Sequence, residues 1–234
     1  MCYGWRGKIG LIYPATGTAA ECEFHRFAPQ GIATMTQRIL FERVDLDGLK
    51  QLGDRAEEAS KALKCADMIM FACTTGSLVG GAGYDQILID RIEKASGLPA
   101  LTTTTAVIAA LKALKVKRLV VATPYSEEVN QVEKEVLEAH GFEVLRIAGL
   151  GNVVPSDNSR VTVQDMYHLS KEILHPDADA LFVSCTGIGV VEGIKTMEKD
   201  FGLPVVTSVQ ASLWAALRML SVREDIGLGK LFSL

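Results

Sequence analysis

The chain has 234 residues, 48% hydrophobic and 22% charged, with a net charge of −4. Such a chain can bury a full core, as one large domain or two ordinary lobes, and is not disordered. It has no cluster of basic residues and no apolar run of about 18 residues, which argues against nucleic acid as a partner and against a membrane span.

The first residues lack the long apolar segment of a signal peptide, so a cytoplasmic protein is expected. Five cysteines, at 2, 22, 65, 73 and 185, fit neither a disulfide framework nor a C-x-x-C zinc site. Reduced thiols are expected, with no metal. The four histidines are scattered; His168 and His175 read as solvated.

Residues 8–13 form a first buried strand, ended by Pro14-Ala15-Thr16-Gly17-Thr18, whose small side chains leave room for a ligand. A short helix over 21–27 and a strand over 32–41 follow. Apolar residues at helical spacing predict an amphipathic helix over 46–64. Met68–Phe71 reads as a fully buried strand running into Cys73-Thr74-Thr75-Gly76. The glycine-rich stretch 76–83 lacks any phosphate-binding spacing and reads as a flexible flap. A helix over 84–95 leads to Gly97-Leu98-Pro99, a short strand at 100–101, and threonines 102–105 that cap the next helix.

The pattern then restarts. Residues 117–122 form a strand ended by Thr123-Pro124-Tyr125, and a helix over 126–140 follows, with Ser126 as its expected cap. A strand over 142–147 precedes a polar loop over 149–160, and a helix covers 162–174. Ala180–Val183 leads into Ser184-Cys185-Thr186-Gly187. A helix over 190–201, a second Gly-Leu-Pro step at 202–204 and a helix over 208–220 complete the chain. Three landmarks recur in order, at offsets of 110, 112 and 105 residues (14 to 124, 73 to 185, 97 to 202). That is a duplication.

Strand–helix alternation and the duplication predict an α/β protein of two lobes, with mostly parallel sheets in pseudo-twofold relation and an active site at their interface. Residues 1–104 with 208–234 are expected to form the lobe carrying Cys73, and 105–207 the lobe carrying Cys185. Ligands bind at strand carboxyl ends in such sheets. Two thiols from matched strand ends can act as base and acid on opposite faces of a planar carbon. Alternatively, one can add to an activated alkene while the other moves the proton. The substrate charge needs donors, and Thr74, Thr75, Thr186, Tyr125 and the N–H groups after each cysteine, as at Gly187, are candidates. No cofactor is required. The competing reading is a pair of buried structural cysteines.

The motifs GLIYP, ACTTG, ATPYSEEVN, SDNSR, SCTGIG and GLPVVTSVQASLWAALR, taken in order, resemble the aspartate/glutamate racemase superfamily. The likeness covers residues 9 to 232 and is strongest to its maleate cis-trans isomerase and arylmalonate decarboxylase branch. The resemblance implies Cys73 as nucleophile, Cys185 as its partner, and Tyr125 as a carboxylate-binding residue. It further implies two Rossmann-like lobes, Thr74 and Thr75 as oxyanion donors, and Asn158 as a residue that holds substrate; Pro14, Thr186 and Gly187 are expected at the substrate from their places at the strand ends. Maleate isomerases usually carry Ser-Asn-Thr after the first-strand proline, where this chain has Thr16-Gly17-Thr18. Arylmalonate decarboxylases carry Gly in place of Cys73. Amino-acid racemases show Asn after the first Cys and His soon after the second, unlike Thr74 and Thr186-Gly187-Ile188. A cofactor-independent isomerase of a small carboxylate, maleate-like, is therefore expected. Racemisation next to a carboxylate, decarboxylation by Cys185, and a non-catalytic acid binder stand as alternatives. A homo-oligomer is left open.

Overall fold

The computed structural model describes residues 2–40 and 46–234. Two parallel four-stranded sheets carry the fold. In the first, β1 (Gly7–Pro14), β2 (Ile32–Ile39), β3 (Met68–Phe71) and β4 (Ala100–Thr102) stand in the order β2-β1-β3-β4. In the second, β5 (Arg118–Tyr125), β6 (Glu143–Asn152), β7 (Ala180–Val183) and β8 (Val205–Thr207) stand in the order β6-β5-β7-β8. Every adjacent pair is parallel. The central strands are covered on both faces, which is why they read as unbroken apolar runs. All four residues of β3 and of β7 are buried.

Helices join the strands: α1 (Ala19–Phe27), α2 (Leu46–Ser60), α3 (Thr74–Leu78), α4 (Tyr84–Ser96) and α5 (Thr103–Ala113) in the first half. The second half has α6 (Glu127–Ala139), α7 (Val163–Ile173), α8 (Ile194–Phe201) and α9 (Ser208–Met219). Leu52, Ala56, Ala59 and Leu63 bury the apolar side of the α2 region against Phe71 and Leu88. The duplication is repeated in detail. Ala72 N–H donates to the Ile12 carbonyl and Ser184 N–H to the Ala122 carbonyl, each at 2.9 Å. Asp67 and Asp179 each accept, through a side-chain oxygen, the N–H that opens the neighbouring strand, at Lys8 and Arg118.

In both sheets the chain leaves the first strand toward one edge and returns on its other side. The switch point lies between β1 and β3, and between β5 and β7. Crevices form at strand ends there, and those ends carry Pro14, Cys73, Tyr125 and Cys185. Helices α5 and α9 pack on each other. Val107 and Leu111 of α5 join a core with Leu119, Val121 and Phe182 of the second sheet. Leu213 and Ala216 of α9 share the central core with Leu11 and Met70 of the first.

Three expectations need correction. Residues 149–160 are not a continuous loop: β6 runs to Asn152, and a 3-10 turn, Pro155–Arg160, follows. Gly149 and Gly151 gave the strand end a loop-like composition, but at Gly149 the glycine answers to crowding. A Cβ there would lie 2.1 Å from the Tyr125 carbonyl oxygen, beside an irregularity in the β5–β6 pairing. The stretch 76–83 is not a flap throughout, because residues up to Val79 are buried and Thr74–Leu78 are helical. Ser126 begins α6 but makes no side-chain capping bond. Thr102 does cap α5, accepting the Thr105 N–H at 3.1 Å. The expected strand end at Phe41 lies outside the described residues.

Candidate active site

Cys73 follows β3 directly and caps α3; its sulfur accepts the Gly76 N–H at 3.3 Å. Cys185 follows β7, and its sulfur accepts the Gly187 N–H at 3.2 Å. Both are buried, whereas Cys2, Cys22 and Cys65 are exposed. The two sulfurs line one cavity of about 30 Å³, room for one or two waters. Pro14, Thr74, Thr75, Tyr125, Asn158, Thr186 and Gly187 line it as well. All nine residues singled out in the sequence are thus brought together. Tyr13, Thr16, Gly17 and Pro155 complete the wall.

The hydroxyls divide into spent and free. Thr74 Oγ1 donates to Ser208 Oγ at 2.9 Å, and Thr186 Oγ1 donates to the Ala72 carbonyl at 3.1 Å. These two expected donors hold the protein together instead. Thr75 Oγ1 lies 3.9 Å from the Cys73 sulfur. The opening N–H groups of α3 have no partner within the helix, so Thr74 and Thr75 can offer their main chain to an anion. Asn152 donates its amide to Asn158 Oδ1 at 3.1 Å, which leaves the Asn158 NH2 group for the cavity. Among the described residues no Lys, Arg or His lines the wall, so the donors they offer a carboxylate are neutral.

Burial pushes the Cys73 thiol up to about 11, against the Gly76 N–H and Thr75, which pull it down. Burial pushes the Cys185 thiol up to about 12, opposed by the Tyr125 hydroxyl and the Gly187 N–H. The proximity of Cys73 raises Cys185 further, so the pair resists carrying two negative charges. At neutral pH both are protonated, and a thiolate forms only as a proton moves within the site.

Tyr13 and Ser208 escaped the sequence reading. Tyr13 ends β1 as a core aromatic would, yet its hydroxyl donates to the Thr186 carbonyl at 2.9 Å, from one sheet's strand to the other sheet's cysteine turn. Arg38 of β2 lies over the Tyr13 ring at 5.6 Å and donates to the Ala15 and Gly17 carbonyls. Ser208 Oγ accepts both the Thr74 hydroxyl and the Cys185 N–H, tying the two cysteine turns to the start of α9. Only the place of Ser208 after a strand and before a helix hinted at it.

Gly17 explains the departure at the first turn. A Cβ there would lie 2.2 Å from the Tyr13 hydroxyl. Tyr13 is buried and bonded, so it yields only at the cost of that bond. Gly17→Ala is expected to lower stability by about 1–3 kcal/mol, read by urea denaturation, and Tyr13→Phe should relieve part of that loss. An unchanged midpoint in Gly17→Ala would show that the ring moves freely.

Two parallel sheets with flanking helices, whose strand ends bring two buried cysteines to one cavity, define an α/β protein with an enzyme-like site. The arylmalonate decarboxylase family model matches residues 9–232, and the chain belongs to that family. It is 32% identical to an arylmalonate decarboxylase of Bordetella bronchiseptica, over 96% of this chain and 95% of that protein. It is 24% identical to a maleate isomerase of Pseudomonas putida, over 97% of each. Its fold superposes with a TM-score of 0.92 on a Nocardia farcinica maleate cis-trans isomerase carrying a covalently bound succinylcysteine intermediate. Identity there is 20%, over 97% of this chain and 98% of that one. The protein is accordingly an enzyme of the isomerase and decarboxylase group. Among the described residues no helix is long and apolar enough to cross a membrane.

Proposed function

We propose that the protein is a cofactor-independent cis-trans isomerase of a small unsaturated dicarboxylate of the maleate kind. The observation that carries this is the convergence of Cys73 and Cys185 on one small cavity. Cys73 passes its thiol proton to a substrate carboxylate as its sulfur adds to one alkene carbon and forms a C–S bond; that proton returns to the sulfur when the C–S bond breaks. The π pair moves onto the neighbouring carbon and its carboxylate. Cys185 supplies a proton to that carbon and later takes it back. The central bond, now single, rotates before the C–S bond breaks and the double bond reforms. The succinylcysteine of the Nocardia enzyme supports this route, because a thiol added to maleate is a succinyl thioether. The main-chain N–H groups of Thr74 and Thr75, with Tyr125 and Asn158, hold the carboxylates. Residues 1–104 with 208–234, and 105–207, are the two lobes in this reading, and the packing of α5 on the second sheet supports that division.

A second reading, arylmalonate decarboxylation with Cys185 protonating the enediolate, is favoured by the higher identity to the Bordetella enzyme. Against it, two tyrosines and a cavity of about 30 Å³ leave little room for an aryl ring. Racemisation next to a carboxylate would use the same two thiols. Proton NMR in D2O with maleate, phenylmalonate, aspartate and a hydantoin separates all three. Fumarate from maleate is the expected result. Loss of CO2 from phenylmalonate with maleate untouched would overturn the isomerase reading.

Tyr125→Phe tests the carboxylate site. Removing a donor from a buried charged acceptor costs roughly 1–3 kcal/mol, so kcat/KM on the true substrate should fall about 5- to 150-fold. Unchanged kinetics would reject the role.

A further inference from the structure

Glu133 of α6 is almost wholly buried, and the chemistry proposed above does not use it. Its Oε1 accepts the Ser184 hydroxyl at 2.6 Å. Its Oε2 is buried and has no partner among the described residues. A cavity of about 10 Å³, walled in part by Thr74, Leu78, Thr104 and Phe182, lies against it. A buried carboxyl with an unbonded oxygen is costly to keep.

Ser184 immediately precedes Cys185, whose backbone sits at φ +119°. A cysteine in that region is strained and stays there only if its surroundings fix it. The fixing is visible on both sides. The Ser184 N–H is held by the Ala122 carbonyl and the Ser184 hydroxyl by Glu133. The Cys185 N–H is held by Ser208, and the Thr186 hydroxyl by the Ala72 carbonyl. Glu133 is the carboxylic acid of this cage. Its counterpart 110 residues earlier, Glu23 of α1, is also buried and accepts the Val191 N–H at 3.1 Å.

We propose that Glu133 is a positioning residue for Cys185. Through Ser184 it holds the strained cysteine backbone, and through its charge it sets how readily the sulfur gives up its proton. The proposal rests on the reading of Cys185 as the proton-handling group.

The groups acting on Cys185 come from several elements. Tyr125 of β5 favours the thiolate, while Cys73 at the end of β3 and Glu133 of α6 oppose it. Tyr13 of β1 feels both thiols. The side chains of α3, α5 and β7 that wall the cavity beside Glu133, among them Thr74, Leu78, Thr104, Val107, Ile108 and Phe182, carry no titratable group. Burial lifts the Glu133 carboxyl to about 7, so it changes charge near neutrality. Ionised, it keeps Cys185 a thiol and proton donor. Protonated, it lets the thiolate form more easily.

The test is alkylation of Cys185 by iodoacetamide from pH 5.5 to 9.5, read by peptide mass spectrometry in a Cys73→Ser background. No substrate is needed, so the outcome is separate from the NMR screen. In the otherwise unaltered chain, log rate against pH should flatten near pH 7, where Glu133 ionises, and then steepen again. Glu133→Gln keeps an acceptor for Ser184 but cannot ionise. It should give a plot without the flattening and about tenfold faster alkylation at pH 8.5. Glu23→Gln removes a buried carboxyl without touching this cage and should leave the profile as it was. A plot that is straight through pH 7 without any Glu133 substitution overturns the proposal, even if Glu133→Gln fails to fold. Superimposed profiles overturn it too, and so does a Cys185 that stays unreactive in both proteins, since loss of the charge should release the thiolate.

Discussion

Cys185→Ala is expected to reduce turnover of every substrate type by at least about 10³-fold, the upper range for loss of a positioned acid–base group. Cys73→Gly is expected to abolish isomerisation or racemisation to the same degree, yet leave the fold intact. The turn it occupies is already held by other bonds: Ser77 to Thr104 and Thr74 to Ser208. Decarboxylation needs one proton donor, so Cys73→Gly can keep some capacity to decarboxylate an arylmalonate. The two variants should also differ in stability from what residue size suggests. Cys185 sits at φ +119°, a region glycine adopts without strain, so Cys185→Gly should be at least as stable as Cys185→Ala. Assays of the variants on maleate, phenylmalonate and aspartate, with circular dichroism for folding, check all of this. A folded Cys73→Gly with full isomerase or racemase activity would make Cys73 structural.

The second large effect is on stability against pH. Burial lifts the Glu23 carboxyl to about 8 and the Glu133 carboxyl to about 7, whereas unfolded carboxyls titrate near 4.3. The folded chain therefore holds protons that the unfolded chain has lost. The associated stability is fully present below the unfolded value and is lost as pH rises through about 7 and then about 8. At about 1.4 kcal/mol per unit the two together reach several kcal/mol. The melting temperature should be roughly 10 °C higher at pH 5 than at pH 8.5. Hydrogen bonds hold the Glu21, Asp165 and Asp179 carboxyls below their usual range, despite burial that opposes this most strongly at Glu21. Their stabilisation is present above the unfolded carboxyl value and is lost only at lower pH. Thermal scans at pH 5, 7 and 8.5 read the slope, and the double variant Glu23→Gln/Glu133→Gln should flatten it. A maximum near pH 8 in the unaltered chain would contradict the burial of both acids.

The cysteine turns were legible because strand, turn and helix follow one another within a dozen residues, and because the same order returns. The tie from Tyr13 to Thr186 was not, since its partner is a main-chain carbonyl 173 residues away. Nothing in the spelling of a strand end says whether its hydroxyl is needed. The end of β6 was hidden by Gly149 and Gly151, which look like loop residues because an edge strand needs few apolar side chains. Glu23 and Glu133 look like ordinary helix-surface acids. Their burial comes from the packing of α1 and α6 against the opposite half of the molecule, which no local pattern records. The spacing of 110 that relates the two prolines also relates the two glutamates, and that was the one clue in the sequence.

The overlap between residue 17 and the Tyr13 hydroxyl also has a historical side. The two positions share one volume, so they cannot change independently. A side chain at 17 requires a smaller residue at 13. Shortening Tyr13 first leaves a void and an unmatched Thr186 carbonyl, each of which lowers stability. Enlarging Gly17 first drives a Cβ into a fixed phenol. Either single step is therefore destabilising, and the two positions are expected to change together.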